Sequence, residues 1–333
     1  MNHTGTNPPS NPKTNVVAII PARYDSVRLP GKALLEIAGK PMICWVVERA
    51  LAARNVNRAI VATDDARILD AVKSAGYEAV LTDADHRSGT DRIAEVAASI
   101  EDADIIVNVQ GDEPLISPLT IESAIKSIGE RVKGKGEGGK GNGEEGRGDG
   151  DTRRQEEDMH GEKEGRGKGE RGSNDIGIVT TWEPIESVVD VLNPDVVKVV
   201  VDEYERALYF SRLPVPFPRD AVRRYGCLET ALSNEPSLLF SFRKHTGLYV
   251  YRRDVLLEFA RWPQSELERL ESLEQLRALE HGVKIKVIKA STSSIGVDTI
   301  GDLARVRHLV SSSLEKLRSF EFRVPGFEFA REG

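Results

Sequence analysis

The sequence predicts an α/β fold, a central sheet with helices on its faces, and three observations carry that expectation. Val16 to Ile20 (VVAII) is an unbroken apolar, β-branched run, too short for a helix and cut off by Pro21, which has no N–H to give a sheet ladder. Runs of the same kind recur at Arg58 to Thr63 and Asp104 to Val109, separated by segments of helical period. The chain has 333 residues, 39% of them hydrophobic, enough for a sizeable core. Strands alternating with helices imply right-handed β-α-β units and parallel pairing.

Each element has its own signal. Between Met42 and Ala53, Ile43, Val46, Val47, Ala50 and Leu51 recur at three- and four-residue spacing, one face of a helix. Arg58 to Thr63 reads as a buried strand, after which Asp64 can cap a helix running to Ala75 and stopped by Gly76. Glu78 to Leu81 is a short strand. The polar loop Asp85 to Arg92 leads into a helix from Ile93 to Ile100, and the strand Asp104 to Val109 runs into Gln110-Gly111-Asp112-Glu113-Pro114. Strands follow at Asp175 to Thr181, His245 to Tyr251 and Lys284 to Lys289, with a hairpin of Val196 to Val201 and Ala207 to Phe210 around Asp202-Glu203. Ser211 to Asp220, with three prolines, is an extended connection. Two helices precede the last of these strands. The second carries LERLESLEQLRALE, whose Leu267, Leu270, Leu273, Leu276 and Leu279 suggest one slowly winding apolar stripe. Thr299 then caps a final helix to about Leu317.

Composition narrows the function classes. A formal net charge of −7 argues against a nucleic-acid binder. No apolar run approaches the roughly 20 residues that span a bilayer, so no membrane association is expected. Cys44 and Cys227 lie far apart with neither a Cys-x-x-Cys nor a Cys/His spacing, which gives no zinc site and fits a reducing, cytoplasmic setting. Residues 1–15 are polar and rich in Pro and Asn and read as a disordered tail. Residues 129–173 alternate glycine with Lys, Arg and Glu and read as a disordered insertion in a domain spanning 16–317, with a tail at 318–333. Gly134 to Gly141 imitates a P-loop, but Gly141 stands where Ser or Thr is required and no strand precedes it.

The chemistry concentrates at strand ends. The loop after the first strand carries Arg23, Arg28 and Lys32 against Asp25 alone and closes with Pro30-Gly31. Three cations at the carboxyl edge of an α/β sheet suit a polyanion. Asp112 directly follows a buried strand and Asp298 lies in a Gly-flanked turn; either alone could be a turn or cap residue. Together with the basic loop they supply the parts for metal-assisted attack on a phosphate, since Mg²⁺ is held by one or two carboxylates plus phosphate oxygens. Gly111 would let a nucleotide approach the backbone. No G-x-G-x-x-G follows the first strand and there is no genuine Walker A sequence, so dehydrogenase and P-loop kinase readings fall away.

The segments IIPARYDSVRLPGK, VATDD, SGTDR, VNVQGDEP, NP-x-VVKVV, YFSR-x-P-x-P, KHTGLYVYR, LEQLR and GVDT, in this order, resemble the signature of the 3-deoxy-manno-octulosonate (KDO) cytidylyltransferases. The resemblance runs from about Val16 to Val310, excluding the insertion. It implies a Rossmann-like nucleotidyltransferase fold with a mixed central sheet and a smaller sugar-site and dimerisation lobe. It implies transfer of CMP from CTP to KDO with Mg²⁺, for lipopolysaccharide assembly, by a homodimer. It assigns Arg23, Arg28, Lys32 and Gly111 to CTP, with Lys32 and Arg28 also catalytic, and Asp112 and Asp298 to the metal. It assigns Arg92, Gln110, Arg212, His245, Tyr249, Glu274 and Gln275 to the sugar. Glu274 and Gln275 would otherwise read as an exposed helix face, and Tyr249 as strand core. Two rivals remain at this level: a cytidylyltransferase for another acidic sugar, and a non-catalytic scaffold that binds partners through the insertion.

Overall fold

The computed structural model describes residues 14–26, 28–129 and 176–321. The expected N-terminal tail up to Lys13, the insertion beyond Gly129 with its P-loop-like stretch, and the C-terminal tail after Glu321 lie outside the described residues. In chain order the elements are β1 (Val16–Ala22), β2 (Glu36–Ile37), β3 (Lys40–Pro41), α1 (Met42–Leu51), β4 (Arg58–Thr63), α2 (Ala66–Ser74), β5 (Glu78–Leu81), α3 (Gly89–Ala98), β6 (Ile105–Asn108) and α4 (Pro118–Ile128). After the insertion come β7 (Ile178–Pro184), α5 (Val188–Leu192), β8 (Lys198–Val201), β9 (Ala207–Ser211), α6 (Arg219–Tyr225), α7 (Leu228–Asn234), β10 (Arg243–Arg252) and α8 (Arg253–Phe259). Then follow α9 (Glu266–Glu271), α10 (Glu274–Glu280), β11 (Ile285–Lys289) and α11 (Ile300–Glu321).

The main sheet runs β11-β7-β10-β6-β1-β4-β5. β1 pairs parallel with both β4 and β6, whereas β10 is antiparallel to β6 and β7, so the sheet is mixed as the resemblance implies. Flanked by parallel strands and covered on both faces, β1 is buried at every position but Pro21, which is why it reads as a continuous apolar run. Ile19 and Ile20, with no exposed surface, each stabilise the fold by roughly 1.5–3 kcal/mol. The expected hairpin is present, with β8 and β9 antiparallel. Among the described residues no helix is long and apolar enough to cross a membrane.

A second apolar cluster sets up the site. Leu29, Ile37, Met42, Val297, Leu303, Val306 and Val310 bury one another, tying the loop after β1 to α1 and to the start of α11. Residues that flank Leu29 and Val297 are thereby drawn together.

Two expectations are corrected, and a polar stretch without a clear period proves helical. Asp65, not Asp64, caps α2, accepting from Arg67 N at 2.9 Å. The leucine stripe is not one helix: it breaks at Ser272, whose φ of 52° is left-handed, into α9 and α10. A three-residue repeat falls about 60° short of a full turn at each step, so five leucines cannot share a face; Leu270 is 74% exposed while Leu273 and Leu276 are buried. Finally, α6 and α7 fill a stretch that shows no period, because helices of seven residues bury only Ala221, Ala231 and Leu232 between them.

Asp64 is free of capping duty because it faces Arg92, whose side chain is fully buried and whose Nη2 donates to it at 2.6 Å. Removing one partner of a buried pair leaves an uncompensated charge. Asp64→Ala is therefore expected to cost about 3–5 kcal/mol in a urea unfolding curve, and adding Arg92→Met to it should recover most of that loss.

Candidate active site

Two strand ends meet here. β1 and β6 are parallel neighbours, so their carboxyl ends emerge side by side. At Gly111, just past β6, an added Cβ would lie 2.7 Å from the Pro21 carbonyl oxygen. The glycine is therefore required by contact between two backbones, a reason different from the nucleotide approach expected of it. The loop after β1 closes on itself: Tyr24 O accepts from Ser26 N at 2.9 Å and from Gly31 N at 2.8 Å, and Gly31 takes a φ of 68°. Val297 N donates to Asp112 O at 2.9 Å, stitching the turn before α11 onto the end of β6. That turn is fixed by a reciprocal cap in which Asp302 accepts from Thr299 N at 2.9 Å and donates its own N–H to Thr299 Oγ1 at 3.2 Å.

These constraints collect four charged side chains. Lys32 Nζ lies 2.5 Å from Asp112 Oδ2 and 3.0 Å from Asp298 Oδ1, and Arg28 Nη2 lies 2.9 Å from Asp298 Oδ2. Desolvation pulls the Lys32 ammonium down, but the two carboxylates outweigh it and hold its pKa above the ordinary lysine value. Next to Asp112, burial first and the Asp112 charge second raise the Glu113 carboxyl to about 7. Two carboxylates drawn onto one cation make a donor pair suited to a hard divalent ion, with room for phosphate oxygens to complete its shell. No third His, Cys, Asp or Glu joins them in a group among the described residues. Arg23 is not part of the cluster; its guanidinium donates to the His86 carbonyl.

Beside the cluster is a cavity of about 250 Å³. Of the residues expected at a sugar site it brings together Gln110, Tyr249, Glu274 and Gln275. Gln110 is oriented by donating to Gly247 O at 3.2 Å, and Thr90 Oγ1 donates to Glu274 at 2.5 Å. Thr90, Asn108, Tyr251 and Ser272 also line it and were not foreseen. Asn108 had a signal, as the one polar residue in an otherwise apolar strand; the others did not. Among the described residues no lysine or arginine lines the cavity. A more open groove of about 960 Å³ lies outside Ser272 and Glu274, between α3, α8 and α9, and none of the four charged cluster residues borders it.

Three expected sugar residues are placed elsewhere. Arg92 is buried against Asp64 and Thr82, away from the cavity. His245 packs behind the wall, its ring 5.4 Å from that of Tyr249 and its Nε2 2.9 Å from Thr180 Oγ1; burial pushes its pKa down to about 3, so it is neutral. Arg212 spends its guanidinium on backbone carbonyls, Glu271 O at 2.6 Å, Pro194 O at 3.0 Å and Ser272 O at 3.2 Å. It holds the corner that Ser272 contributes to the cavity rather than lining the cavity itself. Behind it, the buried Lys198 ammonium donates to the carbonyls of Asn193, Val196 and Arg212.

A family model described as cytidylyltransferase matches residues 17–285. The 3-deoxy-manno-octulosonate cytidylyltransferase of Trichlorobacter lovleyi is 45% identical over 292 residues, 88% of this chain and 97% of that one. The protein of the same name from Geobacter sulfurreducens is 44% identical over 304 residues, 91% of this chain and 100% of that one. The solved structure of a CMP:2-keto-3-deoxy-manno-octonic acid synthetase complexed with CTP superposes with a TM-score of 0.67 at 36% identity, covering 90% of this chain and all of that one. Matches of this identity and coverage decide the family: the chain belongs to the cytidylyltransferases, among the 3-deoxy-manno-octulosonate cytidylyltransferases.

Proposed function

We propose that the protein transfers CMP from CTP to the anomeric hydroxyl of KDO, releasing diphosphate and supplying the activated sugar for lipopolysaccharide assembly. The observation that carries this reading is the adjacency of cluster and cavity. Gln110 lines the cavity, and Asp112, two residues further along the same strand end, is paired with Lys32. A sugar in the cavity would thus lie beside the groups that handle a triphosphate. Amides, hydroxyls and one carboxylate in the cavity suit a polyhydroxylated acceptor.

In the mechanism, Arg28 and Lys32 neutralise the phosphates and the departing diphosphate, a stabilisation that matters most as charge builds in the transition state. Arg23, on the same loop, extends the cationic rim. Asp112 and Asp298 would hold Mg²⁺, which when bound screens the phosphate charge and acidifies the attacking hydroxyl. The Gln110 amide would donate to or accept from sugar hydroxyls and the Glu274 carboxylate would accept from them, which fixes the angle of attack on the α-phosphorus. Tyr249, its hydroxyl kept protonated by burial, adds a donor to the same wall. Small soluble substrates fit a cytoplasmic enzyme. Exposed Leu213, Phe217 and Phe240 on the lobe outside the main sheet support the homodimer.

Glu274 in a cavity that no lysine or arginine lines among the described residues also favours, as a second reading, a KDO relative in which an amine replaces a hydroxyl. Comparing CMP-sugar formation with the two acceptors separates them: a clear preference for the amino sugar would replace KDO as substrate.

Two outcomes are expected. Diphosphate release from CTP and Mg²⁺ should depend on KDO and fall by roughly 10²–10³ in Asp112→Ala; KDO-independent release, or a fully active variant, would count against the reading. Gln275→Ala should raise KM for KDO about tenfold, a loss of about 1.4 kcal/mol, and leave KM for CTP unchanged. Equal effects on both constants would remove Gln275 from the sugar site.

A further inference from the structure

We propose that Lys32, assisted by Arg28, is a built-in stand-in for the divalent cation: it holds Asp112 and Asp298 together in the resting protein and is released to the triphosphate only when cation and nucleotide arrive together. The inference rests on the cytidylyl-transfer reading of this site.

The bonding of Lys32 is complete. An ammonium has three donors, and those of Lys32 meet Asp112 Oδ2 at 2.5 Å, Asp298 Oδ1 at 3.0 Å and Val297 O at 3.4 Å. Nothing on it is left over for a phosphate. Arg28 takes the remaining oxygen of Asp298 at 2.9 Å. Two carboxylates and two side-chain cations sum to zero formal charge, so the resting cluster is already compensated. A divalent cation at the carboxylates replaces the two single charges with an equal charge, and the displaced Lys32 and Arg28 are then the cations that the triphosphate requires. The exchange conserves charge at the aspartates and delivers it to the phosphates.

Each ligand alone lacks half of this exchange. A cation without nucleotide must expel Lys32, whose side chain is only 17% exposed, with no anion to receive it. A nucleotide without cation finds Lys32 engaged. Arg28, 65% exposed, gives way more easily, so Lys32 sets most of the barrier. A role limited to phosphate binding makes no demand on cation affinity in the absence of nucleotide, whereas the stand-in role does.

The test uses Mn²⁺ as probe, with free ion counted by electron paramagnetic resonance in titrations of the full chain without CTP or sugar. Lys32→Gln is expected to bind Mn²⁺ on the order of tenfold more tightly than the unaltered protein, the worth of a charge-assisted hydrogen bond. Arg28→Gln should show a smaller rise. Arg23→Gln, which removes a charge from the same loop but no contact with either aspartate, should show none. Asp112→Asn should abolish the binding. Unchanged or weaker Mn²⁺ binding in Lys32→Gln overturns the proposal, as does a rise of equal size in Arg23→Gln, or no Mn²⁺ binding to any of these proteins even after CTP is added. Should thermal melting show Lys32→Gln to be unfolded, the more exposed Arg28→Gln decides: tighter binding supports the exchange and unchanged binding overturns it. Because the titration needs no turnover, absence of KDO-dependent diphosphate release would refute the proposed reaction without bearing on this result.

Discussion

Everything at this site depends on two backbones touching. The carboxyl ends of β1 and β6 approach until only a hydrogen fits between Gly111 and the Pro21 carbonyl. Parallel pairing brings the ends level; the missing side chain lets them close. From that contact the loop with Arg28 and Lys32 leaves on one side and Asp112 leaves on the other. The Val297–Asp112 hydrogen bond and the buried Leu29–Val297 cluster then deliver Asp298 from a turn far along the sequence. Backbone geometry, rather than attraction between charges, does the assembling. The ion pairs form because the backbone has already brought their residues within reach.

Charge in this protein is handled in two ways. At the site, cations and carboxylates stay partly exposed and able to exchange partners. Beneath the surface, Arg92, Lys198 and Arg277 are buried and held by fixed partners, Arg92 by Asp64, Lys198 by three carbonyls and Arg277 by Glu268 at 3.1 Å. Desolvation, with the neighbouring Arg212 charge next, pulls the Lys198 ammonium below the usual lysine range, Asp190 and Glu271 oppose that fall from a distance, and the three carbonyls take its hydrogen bonds. Commitment costs solvation and gives rigidity, which suits a wall. Exchange requires water nearby, which suits a binding cluster.

Much of this was legible in the sequence, and the reasons are physical. β1, β4 and β6 announce themselves because a strand buried on both faces must be apolar throughout, and Asp112 and Lys32 stand out because charges at strand ends have few structural uses. The roles of Arg92 and Arg212 were not legible. An arginine that binds backbone carbonyls and one that binds a sugar carboxylate look the same in a string of letters. The break at Ser272 was hidden by leucines whose spacing suggests continuity although their angles forbid it. Thr90 and Tyr251 reach the cavity through tertiary placement alone. The short helices α6 and α7 bury too little for any period to emerge.

The corner held by Arg212 has a consequence for how this protein can vary. Its guanidinium addresses three oxygens, and each belongs to the main chain, at Pro194, Glu271 and Ser272. A main-chain oxygen is present whatever residue occupies the position. The partners can therefore drift in identity provided the path of the chain is kept, while the arginine has no substitute of equal reach and fork. One side of the cavity is in this sense written into a single codon, and its neighbours are left at liberty.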